Sequence, residues 1–197
     1  MILILDYGSQ TTQLIARRVR ELSVYSQIVP FDANLEEHRE QVKGVILSGG
    51  PSSVYEDKAP HLPKEILQWN IPILGICYGA QLMAHALGGK VEASSQREFG
   101  NAFLHATSDS QLFKGIHSES NVWMSHGDKI LKMPEGFKAT AKSPTCEYAA
   151  YENESKRMYG VQFHPEVTHT PIGKHLLQNF VIGICKHPQD WTMGSFI

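Results

Sequence analysis

The stretch Ile71-Pro72-Ile73-Leu74-Gly75-Ile76-Cys77-Tyr78-Gly79-Ala80-Gln81 decides the fold of this chain. Residues 71–76 are almost wholly apolar, which predicts a strand buried on both faces of a parallel sheet. Gly75 and Gly79 bracket Cys77 at the point where that strand would give way to a helix. Such a tight turn is the cysteine counterpart of the nucleophile elbow, although a buried structural role is the commonest one for a free cysteine.

The rest of the chain extends this pattern in two different ways. Before Gly88, apolar strands alternate with helical patterns; the strands are predicted at residues 2–5, 25–29 and 44–47, and the helices at residues 14–22 and 62–69. After Gly89 the strands follow one another, at residues 90–106, 121–124, 137–142, 146–151 and 158–162, before a last helix at 172–184. We therefore predict a doubly wound α/β fold, with a mostly parallel central sheet and an antiparallel extension.

A second pattern, Gln162-Phe163-His164-Pro165-Glu166, places a histidine and a carboxylate two positions apart. At the end of a strand these two side chains would share one face, and Pro165 would keep His164 extended. A carboxylate that holds one ring nitrogen leaves the other to act as a base toward a thiol. Taken alone the pattern is better explained as an exposed turn, but together with Cys77 it predicts a triad that attacks an acyl carbon.

The loop Ser48-Gly49-Gly50-Pro51 follows another predicted strand. Two glycines let a backbone N–H approach a ligand closely, so we expect half of an oxyanion hole here, completed by the N–H of Tyr78. A phosphate-binding loop and an ordinary turn are the alternatives, and the ending typical of a P-loop is missing. Because ligands bind beyond the carboxyl ends of such strands, we expect this loop, Cys77 and His164 to converge.

Composition argues against several other classes of protein. The chain has 197 residues, 42% apolar and 19% charged, and a net charge of -2, without the basic stripe that nucleic acid needs. No stretch approaches the roughly 20 apolar residues that cross a membrane. Cys77, Cys146 and Cys185 form no CxxC pair, which suggests reduced thiols and a cytoplasmic setting. The ten histidines include no HExxH, so no metal site is expected.

The patterns around Cys77 and His164 together closely resemble class I glutamine amidotransferases, over nearly the whole chain. The resemblance implies a flavodoxin-like fold. It also implies that the protein releases ammonia from glutamine and that this domain needs no cofactor. It implies Cys77 as nucleophile, His164 as base and then acid, and Glu166 as the orienting carboxylate. It also implies an oxyanion hole at Gly50 and Tyr78. The implied contacts to glutamine are Gly49, Gln81, Ser125, His126, Gly127 and Asp128.

Further motifs resemble the branch of this family that supplies ammonia for GMP synthesis. They are Leu5-Asp6-Tyr7-Gly8-Ser9-Gln10, Arg97-Glu98-Phe99-Gly100, Met124-Ser125-His126-Gly127-Asp128 and Asp190-Trp191. Thr11 departs from the family, which usually carries an aromatic residue there. The resemblance implies a partner, an ATP-pyrophosphatase synthetase domain or subunit that uses ATP and Mg to aminate xanthosine monophosphate. We expect residues 1–189 to form the amidotransferase domain and residues 190–197 to begin a linker to that partner.

Two other functions are compatible with the same residues. A related cysteine hydrolase would act on γ-glutamyl peptides, and a non-catalytic module would only regulate a synthetase. A non-catalytic module should have lost a member of the triad, and Cys77, His164 and Glu166 are all present. Glutamine hydrolysis is therefore the favoured prediction, with no nucleic-acid or membrane partner.

Overall fold

The computed structural model describes residues 1–107 and 109–196, apart from the side chains of residues 96, 195 and 196. The strands are β1 Ile2–Asp6, β2 Ser26–Pro30, β3 Gly44–Leu47, β4 Ile73–Ile76, β5 Lys90–Ala106, β6 Glu119–Lys132, β7 Lys138–Lys142, β8 Ala150–Asn153 and β9 Met158–Val161. The helices are α1 Thr12–Arg20, α2 Tyr78–Ala86 and α3 Gly173–Gln178, which continues as a π-helical segment, Asn179–Ile184.

These strands form one mixed sheet in the order β2-β1-β3-β4-β9-β8-β7-β5-β6. The first five strands in this order are parallel, and every later pair is antiparallel. β9 joins the two halves, because Gly160 lies beside Gly75 of β4 on one side and Tyr151 of β8 on the other. The predicted fold class, a doubly wound sheet with an antiparallel extension, is confirmed.

The apolar side chains of the central strands pack into two separate hydrophobic cores. Ile2 and Ile4 pack into one cluster with α1 and α3, whereas Leu3 and Leu5 pack into the other with α2. Successive side chains of a strand point to opposite faces, so a strand covered on both sides must be apolar at every position. β1 therefore reads as a continuous apolar run.

Three predicted elements differ from the observed ones. Residues 62–69 contain only a 3₁₀ turn, Lys64–Gln68, which directly follows Pro63. The strand predicted at 121–124 is the longer β6, because it pairs with most of the length of β5. The strand predicted from residue 146 begins at Ala150, since the N–H of Ser143 donates to the carbonyl of Cys146 at 2.8 Å and closes a turn before it.

Residues near the C-terminus pack on the segment between α1 and β2. The N–H of Trp191 donates to the carbonyl of Ser23 at 2.9 Å. The guanidinium of Arg20 lies 5.9 Å from the ring centres of both Tyr25 and Trp191, within the range of a cation–π contact. The tail is thus anchored as far as Trp191, and residue 197 lies outside the described residues.

Candidate active site

Cys77 occupies a strained turn between β4 and α2. Its φ is 51° and its ψ is -108°, a conformation that side chains rarely adopt and that clusters at functional sites. The two flanking positions have room only for glycine, because a β carbon on Gly75 would lie 2.7 Å from the backbone nitrogen of Ala80. The turn has the geometry that the sequence predicts for a nucleophile elbow, with the thiol 4% exposed at the start of a helix.

His164 and Glu166 form a buried pair beside this thiol. Nδ1 of His164 lies 2.8 Å from Oε1 of Glu166, whose side chain is fully buried. Burial opposes a charge on the imidazole, but hydrogen bonds to Cys77 and Glu166 outweigh it and raise the pKa of His164 to about 10. At neutral pH the ring therefore carries a proton, and an imidazolium next to a thiol favours the thiolate.

The position of His164 differs from the expectation in one respect. β9 ends at Val161, so His164 and Glu166 lie in the loop beyond the strand and do not owe their shared direction to strand alternation. The N–H of His164 instead donates to the carbonyl of Trp123 on β6 at 3.0 Å. The antiparallel extension thus holds the histidine in place, which the spacing within the sequence cannot show.

Thr11, for which the sequence predicts no role in the site, contacts the triad directly. Its hydroxyl donates to Oε1 of Glu166 at 2.7 Å and lies 2.8 Å from the hydroxyl of Ser9. Nε of Arg18 donates to the backbone carbonyl of Glu166 at 3.1 Å. Only the departure of Thr11 from the family pattern could have drawn attention to this position.

Two adjoining cavities meet at Cys77. The first, of about 390 Å³, is lined among others by Gln81, Arg97, Ser125, His126, Gly127 and Asp128. The second, of about 340 Å³, contains Thr11 and His164. Gly50, Ser125 and Cys77 line both. A ligand can therefore approach the thiol through the first cavity, whereas the imidazole of His164 lies on the side of the second cavity.

The loop after β3 also lies at this junction. A β carbon on Gly50 would collide with the backbone carbonyl of Tyr7, so only glycine fits there. The ring of Tyr78 is buried and its hydroxyl donates to the carbonyl of Pro60 at 2.7 Å. Gly49 lies behind the site, where a β carbon would be 3.2 Å from Cε1 of His164.

The segment from Ser125 to Asp128 forms the wall opposite this loop. Sγ of Cys77 lies 3.4 Å from the carbonyl oxygen of Ser125. Nε2 of Gln81 donates to the carbonyl of Asp128 at 2.8 Å, which ties the wall to α2. The carboxylate of Asp128 accepts from the hydroxyl of Ser53 at 2.5 Å. The predicted contact residues therefore come together here, with Gln81 bracing the wall as well as lining the cavity.

Eight further residues of the described chain line the first cavity without having been assigned to it from the sequence, among them Ser53, Glu56 and Arg97. Ser53 and Glu56 follow the loop after β3, and Arg97 lies on β5. Arg97 belongs to one of the branch motifs, and Ser53 stands two residues after Pro51. The motif around Arg97 and the closeness of Ser53 to the loop after β3 are visible in the sequence, but neither indicates which way a side chain faces.

Comparison with known proteins agrees with this geometry. The family glutamine amidotransferase class-I matches residues 3–184. Over its full length the chain is 51% identical to the GMP synthase (glutamine-hydrolyzing) of Brachyspira hyodysenteriae and 52% identical to that of Aquifex aeolicus. It spans only 38% and 39% of the length of these two relatives. The chain therefore belongs to the class-I glutamine amidotransferase family.

Solved structures give the same result for the fold. A GMP synthase subunit from Thermoplasma acidophilum has a TM-score of 0.82 and 36% identity, over 94% of this chain and 93% of its own. A glutamine amidotransferase from Thermotoga maritima has a TM-score of 0.78 at 21% identity, over 94% and 98% of the two chains. The second supports the fold alone. Among the described residues, no helix is both long and apolar enough to cross a membrane.

Proposed function

We propose that this chain hydrolyses the side-chain amide of glutamine to glutamate and ammonia. The observation that carries the proposal is the buried imidazole of His164, which lies 2.8 Å from the carboxylate of Glu166 and lines the same cavity as Cys77. The three groups supply a nucleophile, a proton carrier and an orienting acid, as acyl transfer from an amide requires. The names of the relatives support glutamine as the substrate.

In the first half of the reaction, the thiolate of Cys77 adds to the carboxamide carbon. The carbonyl electrons move onto oxygen, and the N–H groups of Gly50 and Tyr78 bind the resulting oxyanion. Loss of one such donor typically costs about 2.7–4 kcal/mol in the transition state. The imidazolium of His164 gives its proton to the amide nitrogen, the C–N bond breaks, and ammonia leaves behind a γ-glutamyl thioester.

In the second half, the neutral imidazole of His164 takes a proton from water. The hydroxide adds to the thioester carbon, the C–S bond breaks, and glutamate leaves while the thiolate of Cys77 is restored. Glu166 accepts a hydrogen bond from Nδ1 throughout, which holds Nε2 toward the reacting atoms. The reaction needs no cofactor in this chain.

The charges in the first cavity fit the other end of a glutamine molecule. Arg97 offers a cation for the α-carboxylate, and Glu56 and Asp128 offer anions for the α-ammonium. Opposite charges on one small cavity suit a free amino acid better than the middle of a peptide. A γ-glutamyl peptide carries the same free α-carboxylate and α-ammonium, so these charges do not separate it from glutamine, and the names of the relatives favour glutamine.

We further propose that the ammonia passes to a synthetase partner that aminates xanthosine monophosphate to GMP with ATP and Mg. The relatives named GMP synthase are more than twice as long as this chain, which leaves room for such a domain. The Thermoplasma acidophilum neighbour is covered over 93% of its length and is named as one subunit of such an enzyme. Residues 1–189 would form the amidotransferase domain, and the linker would begin at 190 with its first residues, as far as Trp191, packed against that domain. The three cysteines are free, which fits a cytoplasmic setting.

The test uses a diazoketone analogue of glutamine, which alkylates an active nucleophile. We expect one adduct, located at Cys77 by peptide mass analysis, and slower labelling in the presence of glutamine. Cys185→Ser is the matched control, because that buried thiol lies at the far end of β3, beside Gly44. It should label normally, whereas Cys77→Ala should not label. An unlabelled wild-type chain, or labelling that survives Cys77→Ala, would contradict the proposal.

A further inference from the structure

A second cluster of reactive side chains adjoins the glutamine cavity, which His126 also lines, and takes no part in the reaction steps above. It consists of Glu98 on β5, His126 on β6 and Cys146 in the turn before β8, with one ligand atom of each within 4.8 Å of the others. His126 is 5% exposed and Cys146 is 2% exposed. Glu98 and His126 face each other across the β5–β6 ladder. The cluster is therefore a product of strand register and not of sequence spacing.

The hydrogen bonds of His126 decide which ring nitrogen faces this cluster. Nδ1 lies 2.7 Å from the backbone carbonyl of Asp128, and a carbonyl can only accept, so Nδ1 carries the proton. In a neutral ring Nε2 then presents a lone pair, 2.9 Å from Oε2 of Glu98. Although they are this close, neither atom forms a hydrogen bond with any described residue. Two buried polar atoms this close need a positive charge between them, either a proton on Nε2 of His126 or a cation bound by both.

The donor set indicates which cation would fit there. A ring N–H that donates to a backbone carbonyl is the outer-shell contact that orients a metal-binding histidine. Imidazole nitrogen, thiolate sulfur and carboxylate oxygen are the zinc ligands of proteins, whereas magnesium and calcium prefer oxygen alone. Glu98 also lines a surface cavity of about 590 Å³ next to Thr145, which offers an ion a path from solvent.

We propose that Glu98, His126 and Cys146 bind a zinc ion that joins the β5–β6 hairpin to the turn before β8. On binding, the thiol of Cys146 releases its proton to solvent, and the ion takes one sulfur, one nitrogen and one carboxylate oxygen, with water in the fourth position. The role is structural. Ser125 and Asp128, on either side of His126, line the glutamine cavity, so the ion would hold that wall in place.

The test begins with chain stripped of metal by a chelator under reducing conditions. Zinc titrated against a chromophoric chelator should bind stoichiometrically, and cobalt in its place should give a thiolate-to-cobalt charge-transfer band with tetrahedral visible bands. Cys146→Ser should lower zinc affinity by at least about 100-fold, since losing only an outer-shell partner already costs 10–100-fold. It should also remove the charge-transfer band.

Cys77 and His164 form the competing place for zinc, so the decisive comparison is between the two thiols. Cys77→Ala and the matched control Cys185→Ser should both keep the stoichiometry and the cobalt band. If the band disappears with Cys77→Ala and survives Cys146→Ser, zinc binds at the triad and the proposal is wrong. If the wild-type chain binds no stoichiometric zinc, Glu98 and His126 share only a proton, and the proposal is equally wrong. The wild-type and Cys77→Ala spectra decide this even if Cys146→Ser folds poorly.

Discussion

At the level of single residues, Glu166 is the member of the triad that forms a hydrogen bond with a side chain outside it, that of Thr11. Its Oε1 accepts from Nδ1 of His164 at 2.8 Å and from the hydroxyl of Thr11 at 2.7 Å. A donor on a carboxylate stabilises the negative charge there, and so weakens the attraction of that carboxylate for the imidazole proton. Thr11 is therefore a positioning residue, which acts on His164 through Glu166.

Removing this hydroxyl with Thr11→Val should change the proton affinity of His164. Burial opposes the charge on the ring, and hydrogen bonds to Cys77 and Glu166 raise its pKa to about 10; without the competing donor the pKa should rise further. We expect kcat to fall roughly tenfold with KM unchanged, because a hydrogen bond to a charged group contributes about 1.5–3 kcal/mol. Titration of ¹⁵N-labelled histidine by NMR measures the pKa.

Thr11→Ser is the matched control for this prediction, since it keeps the hydroxyl and removes only a methyl group. It should restore both the pKa of His164 and kcat to near their original values. A purely structural role would instead lower stability without moving the pKa. An unchanged pKa in Thr11→Val would therefore show that Thr11 does not act through Glu166.

Among the elements, the turn from β4 to α2 determines where the nucleophile stands. Gly75 lies against the backbone of Ala80, and Gly79 lies against the backbone of Leu47 on the neighbouring strand β3. The N–H of Gly79 also donates to the carbonyl of Ser48 at 3.1 Å. The strained conformation of Cys77 persists because these close contacts leave the turn no alternative path.

Gly79→Ala tests how tightly the turn is held. The new β carbon would lie 2.6 Å from Cβ of Leu47 and 2.8 Å from its carbonyl carbon, so backbone must move. We expect the free energy of unfolding to fall by about 1–3 kcal/mol, as for other overpacked sites. Labelling of Cys77 by the glutamine analogue should slow in parallel. Chemical denaturation and the labelling rate are the two measurements.

The control for this substitution is Gly183→Ala, in the helical segment after α3. Nothing lies within 4 Å of a β carbon at Gly183, and alanine is favoured over glycine in a helix by roughly 0.5–1 kcal/mol. Stability should therefore stay the same or rise slightly, with no change in labelling. Equal losses of stability at both glycines would mean that the turn is not specially crowded.

In the molecule as a whole, the site is assembled from both halves of the sheet. Cys77 and the loop after β3 come from the parallel half, whereas Ser125 to Asp128 come from β6 at the far antiparallel edge. β9 joins the halves and carries the chain to His164. The chain spans 38% of the length of the Brachyspira hyodysenteriae relative, and the partner proposed for it is a further domain that consumes ammonia.

This partnership predicts that glutamate formation accelerates when a synthetase domain, ATP and xanthosine monophosphate are added. The physical reason is that a docked partner would shield the open cavity from water and order its wall, which strengthens the electrostatic contacts inside. We expect at least a tenfold rise in kcat, roughly 1.4 kcal/mol in barrier height. A coupled assay for glutamate, with and without the partner, measures it.

The control mixes the same synthetase with Cys77→Ala. Glutamine should then yield no GMP, whereas ammonium chloride should restore GMP formation, which shows that the synthetase itself is active. A partner that makes GMP from ammonium but leaves the glutaminase rate of the wild-type chain unchanged would contradict coupling between the two. It would leave the triad chemistry itself intact.

Much of the architecture could be predicted because the signals are local. The apolar run of β1 and the glycines around Cys77 each act over a few residues, and each predicted the element found there. The start of β8 was predicted four residues too early, at 146, because the sequence does not show that hydrogen bonds between Ser143 and Cys146 close a turn before that strand. Likewise, His164 proved to lie beyond β9 and to be held by Trp123.

The sequence by itself determined the chemistry available to this protein: a thiol in a glycine-bracketed turn, an imidazole with a nearby carboxylate, and the α/β order of strands and helices. Only the tertiary structure decided which distant groups meet. Thr11 reaches Glu166 across 155 positions, and Glu98, His126 and Cys146 meet through the register of the antiparallel strands. Side-chain contacts across a sheet depend on register and turn geometry, and neither leaves a short-range pattern in the sequence.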